Sequence, residues 1–393
     1  MNIIILSDRY HPTPVSGAVL IYDLARELVE QNHNVYVLTA DSKLDSKHTL
    51  TLEEGVNVLR VKAQNQKELS KPYRLLFELL LQRRIWNAFQ VNNLDIEFNL
   101  LIAHSPTIFW SFIIRKLTKK FDNLSKYLIL RDIFPKWALD TGIISKYNPI
   151  YWFLKWHEKK LYKGIKTIGV QSKSNLAYFG EDHTPARIEV LYNFKRIEST
   201  VLKESNIRKE LKIYNKVIYV FGGNLGFAQD VDNLLRLVYK SRRNEKIHFL
   251  FIGEGTEYTK IKYWIEKNNI SNLNLLPAVT DIEYQSILKE CDVGIISLRS
   301  TFRTDNFPNK IMNYMQYELP ILASINSGSE LGVLITENNI GLVSTNGDDE
   351  KFLSNAENLL DEEKRIEMGV KGKELLQKQF NVQSAARKIL DSM

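Results

Sequence analysis

The residues best placed to do chemistry are Arg303-Thr-Asp-Asn-Phe-Pro-Asn-Lys310. Just before them, Asp292-Val-Gly-Ile-Ile-Ser297 is short and apolar and reads as a buried parallel strand. After them, Ile311, Met312, Met315 and Leu319 recur at helical spacing. Pro308 suits the first turn of that helix, where a missing N–H costs nothing. A strand, a polar loop and a helix with Lys310 in its opening turn add a full positive charge to the free N–H groups of a helix N-terminus. That pattern fits an anion, and the ligand class it suits is a nucleotide diphosphate. An ordinary capped helix carrying a solvated lysine has the same signature, because helix N-termini are common.

Elements on both sides must position this loop. At 393 residues the chain is long enough for two domains, and 44% hydrophobic with 25% charged residues is an ordinary globular composition. Cys291 is the single cysteine, which rules out an internal disulfide and a cysteine-based metal cluster. The start, Met1-Asn-Ile-Ile-Ile-Leu-Ser7, is too short for a signal-peptide core, and no window reaches a membrane-spanning length, so a cytoplasmic protein is expected. The net charge of +7 and pI near 9.1 suit a polyanionic partner. No nucleic-acid-binding signature accompanies them, so an anionic membrane surface is the expected partner and nucleic acid is not.

In chain order, a strand at residues 3–6, a loop with Gly17, an amphipathic helix over 19–31 and a strand over 34–39 make a βαβ unit. Gly17 would let a ligand approach the end of strand one, although a lone turn glycine reads the same way. Further strands are expected at 56–61, 100–104, 127–130, 167–170 and 188–191. The pattern restarts at Val217-Ile-Tyr-Val-Phe221, which leads into Gly222-Gly-Asn-Leu-Gly226; Ile247 to Ile252 leads into Gly253-Glu-Gly255. The expected architecture is α/β, with two doubly wound Rossmann-like domains facing a central cleft. The domains are expected at 1–195 and 196–370, with C-terminal helices at 371–393 that could cross back to the first domain.

In this order the motifs resemble those of GT-B glycosyltransferases of family 4. The glycine-rich turn Gly222–Gly226, the turn Phe251-Ile-Gly-Glu-Gly255, the strand at Cys291–Ser297 and Tyr314-Met-Gln-Tyr-Glu-Leu-Pro320 carry the resemblance in the second half. Gly17, Asn32-His-Asn-Val35 and Arg131-Asp-Ile-Phe-Pro135 extend it to a branch acting in bacterial surface-polysaccharide assembly, O-antigen or capsule. The resemblance implies a retaining, metal-independent enzyme with no cofactor. It implies a nucleotide-diphosphate donor, a UDP-sugar, and a lipid-linked oligosaccharide acceptor. Donor contacts fall on Gly17, Gly223, Asn224, Gly226, Gly253, Glu254, Asn306, Pro308, Lys310 and Asn313.

Several positions depart from the family pattern. Its two glutamates fall on Asp305, which keeps a carboxylate, and Asn313, which can still hydrogen-bond a ribose hydroxyl. Its basic residues after the glycines are replaced by Asn224 and Gln229, which makes Lys310 the expected source of positive charge. The family histidine that touches the donor sugar aligns near Arg131-Asp132, so Asp132 could take its place, accept the acceptor's proton, or merely pair with Arg131. Lys310, Asp305 and Asp132 are therefore the catalytic candidates. Fixed cations and amides aimed at the departing diphosphate act more strongly in the transition state than in the ground state. His104 and Ser105 could line the acceptor site, although a satisfied structural histidine is the commoner case.

Two stretches mix basic and aromatic residues. Residues 73–89 carry Trp86 beside Arg83 and Arg84; residues 147–166 carry Trp152 and Trp156 beside Lys159 and Lys160. Either could lie in an anionic lipid interface at the inner face of the plasma membrane, or pack on the first-domain core. Two other classes stay open at this level: a nucleotide-sugar epimerase, which would need acid/base groups that cannot be placed, and a non-catalytic binding subunit, which the lost charges favour.

Overall fold

The computed structural model describes the chain apart from residues 14, 64–70, 95, 106, 141, 181–186, 198–204 and 301–307, and apart from the side chains of 71–74. The chain divides into two compact units, Met1–Arg196 with Asn381–Met393, and Ile197–Phe380.

The first unit is built on an eight-stranded sheet of β1 (Asn2–Leu6), β2 (Asn34–Asp41), β3 (His48–Glu53), β4 (Val56–Lys62), β5 (Leu100–His104), β6 (Ser125–Leu130), β7 (Thr167–Val170) and β8 (Arg187–Val190). The spatial order is β3-β4-β2-β1-β5-β6-β7-β8, and every pairing is parallel except β3 with β4. β1 and β5 are continuous apolar runs because helices cover both faces of the sheet. One face is covered by the helix Ser16–Glu30, which buries Leu20, Ile21, Leu24 and Leu28. On the other, Lys71–Val91 contributes Phe77, Leu81, Ile85 and Phe89. β3 is an element the sequence reading lacked. It alternates rather than forming an apolar run, leaving Leu50 and Leu52 exposed at the sheet edge.

The second unit is a six-stranded, all-parallel sheet of β9 (Val217–Gly222), β10 (Ile247–Ile252), β11 (Leu273–Leu276), β12 (Val293–Ser297), β13 (Ile321–Ile325) and β14 (Gly341–Thr345). Its order is β11-β10-β9-β12-β13-β14.

Both units are doubly wound, as the alternation of strands and helices predicts. Strand order reverses between β1 and β5 in the first and between β9 and β12 in the second. In open α/β sheets ligands bind at the carboxyl ends of the strands at such a reversal, where the flanking loops run apart. The sheets themselves therefore nominate two places: the ends of β1 and β5, and the ends of β9 and β12.

Candidate active site

In the second unit, β9 runs out into the glycine turn. Gly223 has φ +111° with open space where a Cβ would stand, so a side chain there would strain the backbone and fill the opening. Gly253 is needed for a different reason: a Cβ on it would lie 1.9 Å from the Gly223 carbonyl oxygen. The two turns thus pack backbone against backbone, with the Gly223 amide donating to Ile252 O at 2.9 Å and the Leu225 amide to Glu254 O at 2.8 Å. The Asn224 amide side chain fills the space beside Gly226 and Gly255. Glu254 itself is exposed.

These bonds limit what the Gly222–Gly226 backbone can offer a ligand. The Gly222 amide donates to the Tyr314 hydroxyl, and the amides of Gly223 and Leu225 are also engaged. Among the described residues, Asn224 and Gly226 are left with amides that have no acceptor.

The helix expected after the polar loop begins at Lys310 and ends at Gln316. Pro308 lies just outside it, with Asn309 at the cap. The amides of Ile311 and Met312 already donate to Pro308 O and Asn309 O, so this short helix offers a ligand fewer amides than expected. What it does offer is the lysine. Lys310 Nζ lies 3.6 Å from the centroid of the Phe221 ring and donates to Gln229 Oε1 at 2.9 Å. Among the described residues it has no carboxylate partner. Burial pushes its pKa down to about 7. The cation thus stands at Gln229, where the motif had lost one. Asn313 is part-exposed on the same helix, and Asp305 and Asn306 lie outside the described residues.

One residue of this site was quoted in the sequence only as part of a motif. Tyr314 is fully buried, and its hydroxyl lies 3.3 Å from Val220 O, 3.2 Å from Ile295 O and 3.3 Å from the Gly222 amide that donates to it. β9 and β12 pair at two positions, Tyr219–Val293 and Val220–Gly294, and the Tyr314 hydroxyl takes over where that ladder stops. Gly294 makes room, since a Cβ there would lie 2.3 Å from the Tyr314 ring.

In the first unit, β1 runs into Ser7 and β5 ends at His104. Ser7 Oγ donates to Arg9 O at 2.7 Å and so accepts from His104 Nδ1 at 3.3 Å. That fixes the proton on Nδ1 and leaves Nε2 with a lone pair, buried and without a partner among the described residues. At 1% exposure His104 is desolvated, and with Arg131 nearby its pKa is pushed down to about 3, so the ring stays neutral. Gly17 lies directly against it: a Cβ on Gly17 would be 3.0 Å from His104 Cε1 and 3.5 Å from Arg131 Nη1. Arg131 donates to Ser16 Oγ at 3.3 Å, in the uncapped first turn of the helix Ser16–Glu30. Asp132 forms no ion pair with Arg131, contrary to the pairing alternative. Its carboxylate has no partner among the described residues, and burial raises its pKa against a smaller opposing effect of Arg131. Ser105 is buried, and its hydroxyl faces Asp132 O at 3.5 Å.

Residues 17–195 match the glycosyltransferase family 4 description, and residues 203–375 match that of glycosyl transferases group 1. The chain belongs to glycosyltransferase family 4. Among its relatives is a probable glycosyltransferase, WbjE, of Pseudomonas aeruginosa, 25% identical over 220 residues that cover 54% of each chain. The chain thus spans about half the length of the curated relatives it matches. Its fold is that of GT-B enzymes. HepE of Anabaena, solved in complex with UDP-glucose, is 14% identical with a TM-score of 0.68, covering 100% of this chain and 99% of that one. WaaG, a glycosyltransferase involved in lipopolysaccharide biosynthesis, is 13% identical with a TM-score of 0.65, covering 99% and 98%.

The structure separates the two basic, aromatic stretches of this family 4 chain. In the helix Lys71–Val91, Trp86 is 9% exposed and packs in the core; Arg83 and Arg84 lie near the rings of Phe112 and Phe77. That tryptophan is core packing, while Leu76, Arg83 and Arg84 stay exposed on the outer side of the helix. In the helix Pro149–Lys163, Trp152 is 61% and Trp156 50% exposed, with Lys159 and Lys160 outward as well. No helix among the described residues is long and apolar enough to cross a membrane.

Proposed function

We propose that this glycosyltransferase moves a sugar, with retention and without a metal or cofactor, from a nucleotide-diphosphate donor to a lipid-linked oligosaccharide in bacterial surface-polysaccharide synthesis. The donor is a UDP-sugar on this reading, and the enzyme works peripherally at the inner face of the plasma membrane. The observation that carries the reading is Lys310: a part-buried lysine held over the Phe221 ring and on Gln229, with no carboxylate to neutralise it among the described residues. A desolvated cation is costly unless an anion completes it. A departing diphosphate gains charge as the C1–O bond breaks, so a fixed cation stabilises the transition state more than the ground state. The amides of Asn224 and Gly226 add donors on the glycine turn. Asp132, unpaired and raised by burial, is the group of the first unit suited to take the acceptor's proton. Asp305 holds hydroxyls of the donor sugar by family resemblance. UDP-glucose in the HepE complex and the lipopolysaccharide role of WaaG support the donor and the pathway class.

Incubation of the enzyme with a panel of sugar nucleotides and a lipid-linked acceptor tests the reading. Transfer is expected, and Lys310→Ala should lower kcat/KM by about 2–4 kcal/mol of transition-state stabilisation. Epimerised donor, donor binding without turnover, or a folded Lys310→Ala enzyme of unchanged rate would each overturn it.

A further inference from the structure

The helix Pro149–Lys163 is divided along its length. Its inner stripe holds Leu154, His157, Leu161 and Tyr162 in the first unit, and it is anchored by a carboxylate. Glu158 is fully buried, pairs with Lys155 at 2.5 Å and accepts from Tyr178 at 2.7 Å and from Tyr162 at 3.2 Å. The outer stripe is apolar in the first two turns, with Ile150, Trp152, Phe153 and Trp156. It is cationic in the last two, with Lys159, Lys160 and Lys163. The turn before the helix continues the apolar end: Ile143 is exposed and Tyr147 is 83% exposed. That turn is held against the helix, since Trp152 Nε1 donates to Lys146 O at 2.9 Å and Asn148 caps the helix through the Ile150 amide.

Single exposed apolar residues are common, but a contiguous aromatic end on a rigid helix marks an interaction surface. Its charge says with what. Across residues 142–166 the six lysines face one acidic residue, Glu158, which is buried and paired, so the outward charge is wholly positive. A surface that is aromatic at one end and purely cationic at the other matches an anionic bilayer, with hydrocarbon below and phosphate above.

We propose that this helix and the turn before it dock the enzyme on an anionic bilayer obliquely, aromatic end down. This deepens the reading of a lipid-linked acceptor given above and rests on it. The helix does not lie flat. From Ile150 to Lys163 it rises about 20 Å at ~1.5 Å per residue. The apolar face of an interfacial helix sinks only about 5–10 Å. The apolar end reaches the acyl boundary while the lysines stay at the phosphates, each worth about fivefold in partitioning.

Flotation of the full-length protein separates this from the alternatives, using vesicles of phosphatidylcholine alone or mixed with phosphatidylglycerol, at low and high salt. Flotation with the mixed vesicles at low salt is expected, reduced but not abolished by salt. Trp152→Ala/Trp156→Ala should lower the bound fraction about tenfold or more. Lys159→Glu/Lys160→Glu/Lys163→Glu should remove the preference for phosphatidylglycerol. Quenching by brominated lipid should be strong for the wild type and weak for the double tryptophan variant, whose fold is checked by circular dichroism. Three results overturn the proposal: no flotation with mixed vesicles at low salt, a double variant that floats like the wild type, or a patch that drives self-association without lipid binding. Flotation needs neither donor nor turnover, so its failure and a failure of the transferase reading are distinguishable.

Discussion

At the scale of single residues, Lys310 makes two claims that pull in opposite directions. Its charged form is disfavoured by burial, so the folded protein releases the proton near pH 7 while the unfolded chain holds it to the ordinary lysine value. Between those values the unfolded state binds more protons, and stability rises with pH; below about 7 both states are protonated and the penalty is constant. Lys310→Met should therefore raise stability at pH 7 by about 1–2 kcal/mol in denaturant unfolding while abolishing diphosphate binding. Affinity has the opposite dependence, because a diphosphate needs the ammonium. Titration calorimetry with UDP should show binding weakening above pH 7, approaching about tenfold per unit, and Lys310→Arg should flatten that limb. His104, neutral with its pKa near 3, should contribute no limb to the same profile between pH 6 and 9.

At the scale of elements, the reversal between β9 and β12 depends on a side chain from a third element. Tyr314 reaches from the helix Lys310–Gln316 to hold Gly222, Val220 and Ile295. Tyr314→Phe leaves the buried Gly222 amide without its acceptor and should cost about 1–3 kcal/mol in unfolding experiments. Gly294→Ala forces a methyl into the Tyr314 ring and should cost about as much through overpacking. Both changes should weaken UDP binding as well, since Lys310 leaves the same helix one turn earlier. The sequence made part of this legible. β12 is an apolar run, and the spacing of Ile311, Met312 and Met315 marks the helix, because periodicity reports burial directly. The hydroxyl of Tyr314 was hidden, since a tyrosine at a core-facing position looks like any other apolar residue until its partners are placed. β3 was hidden for the converse reason: the alternating Thr49-Leu50-Thr51-Leu52 of an edge strand lacks the continuous apolar run that marked the others. Gln229 read as lost charge, and only three-dimensional packing shows that a lysine 81 positions further on donates to it.

At the scale of the whole molecule, the chain closes on itself. After the second unit it returns to the first, where Lys195 bridges to Asn381 and the Val382 amide donates to Lys195 O at 3.1 Å. The last helix, Val382–Leu390, then buries Val382, Ala385, Ala386 and Ile389 in the core formed by β1, β2 and the helix Ser16–Glu30. Gln383 donates to Glu27 at 3.0 Å, beside the pair of Glu27 with Arg196. Thirteen residues at the far end of the chain therefore belong to the unit that holds Gly17, His104 and Asp132. Removing 381–393 would take four buried side chains out of that core and uncover the helix they pack on. At about 1–2 kcal/mol each, the loss is of the order of 4–8 kcal/mol, a large share of a domain's stability. Native-state hydrogen exchange on the truncated chain should show protection lost in β1, β2 and β5 and kept in β9, β10 and β13, whose core is formed without those residues. Equal loss in both sheets would mean that the two units unfold as one, and unchanged protection in β1 would mean that the returning helix contributes nothing to the core it covers.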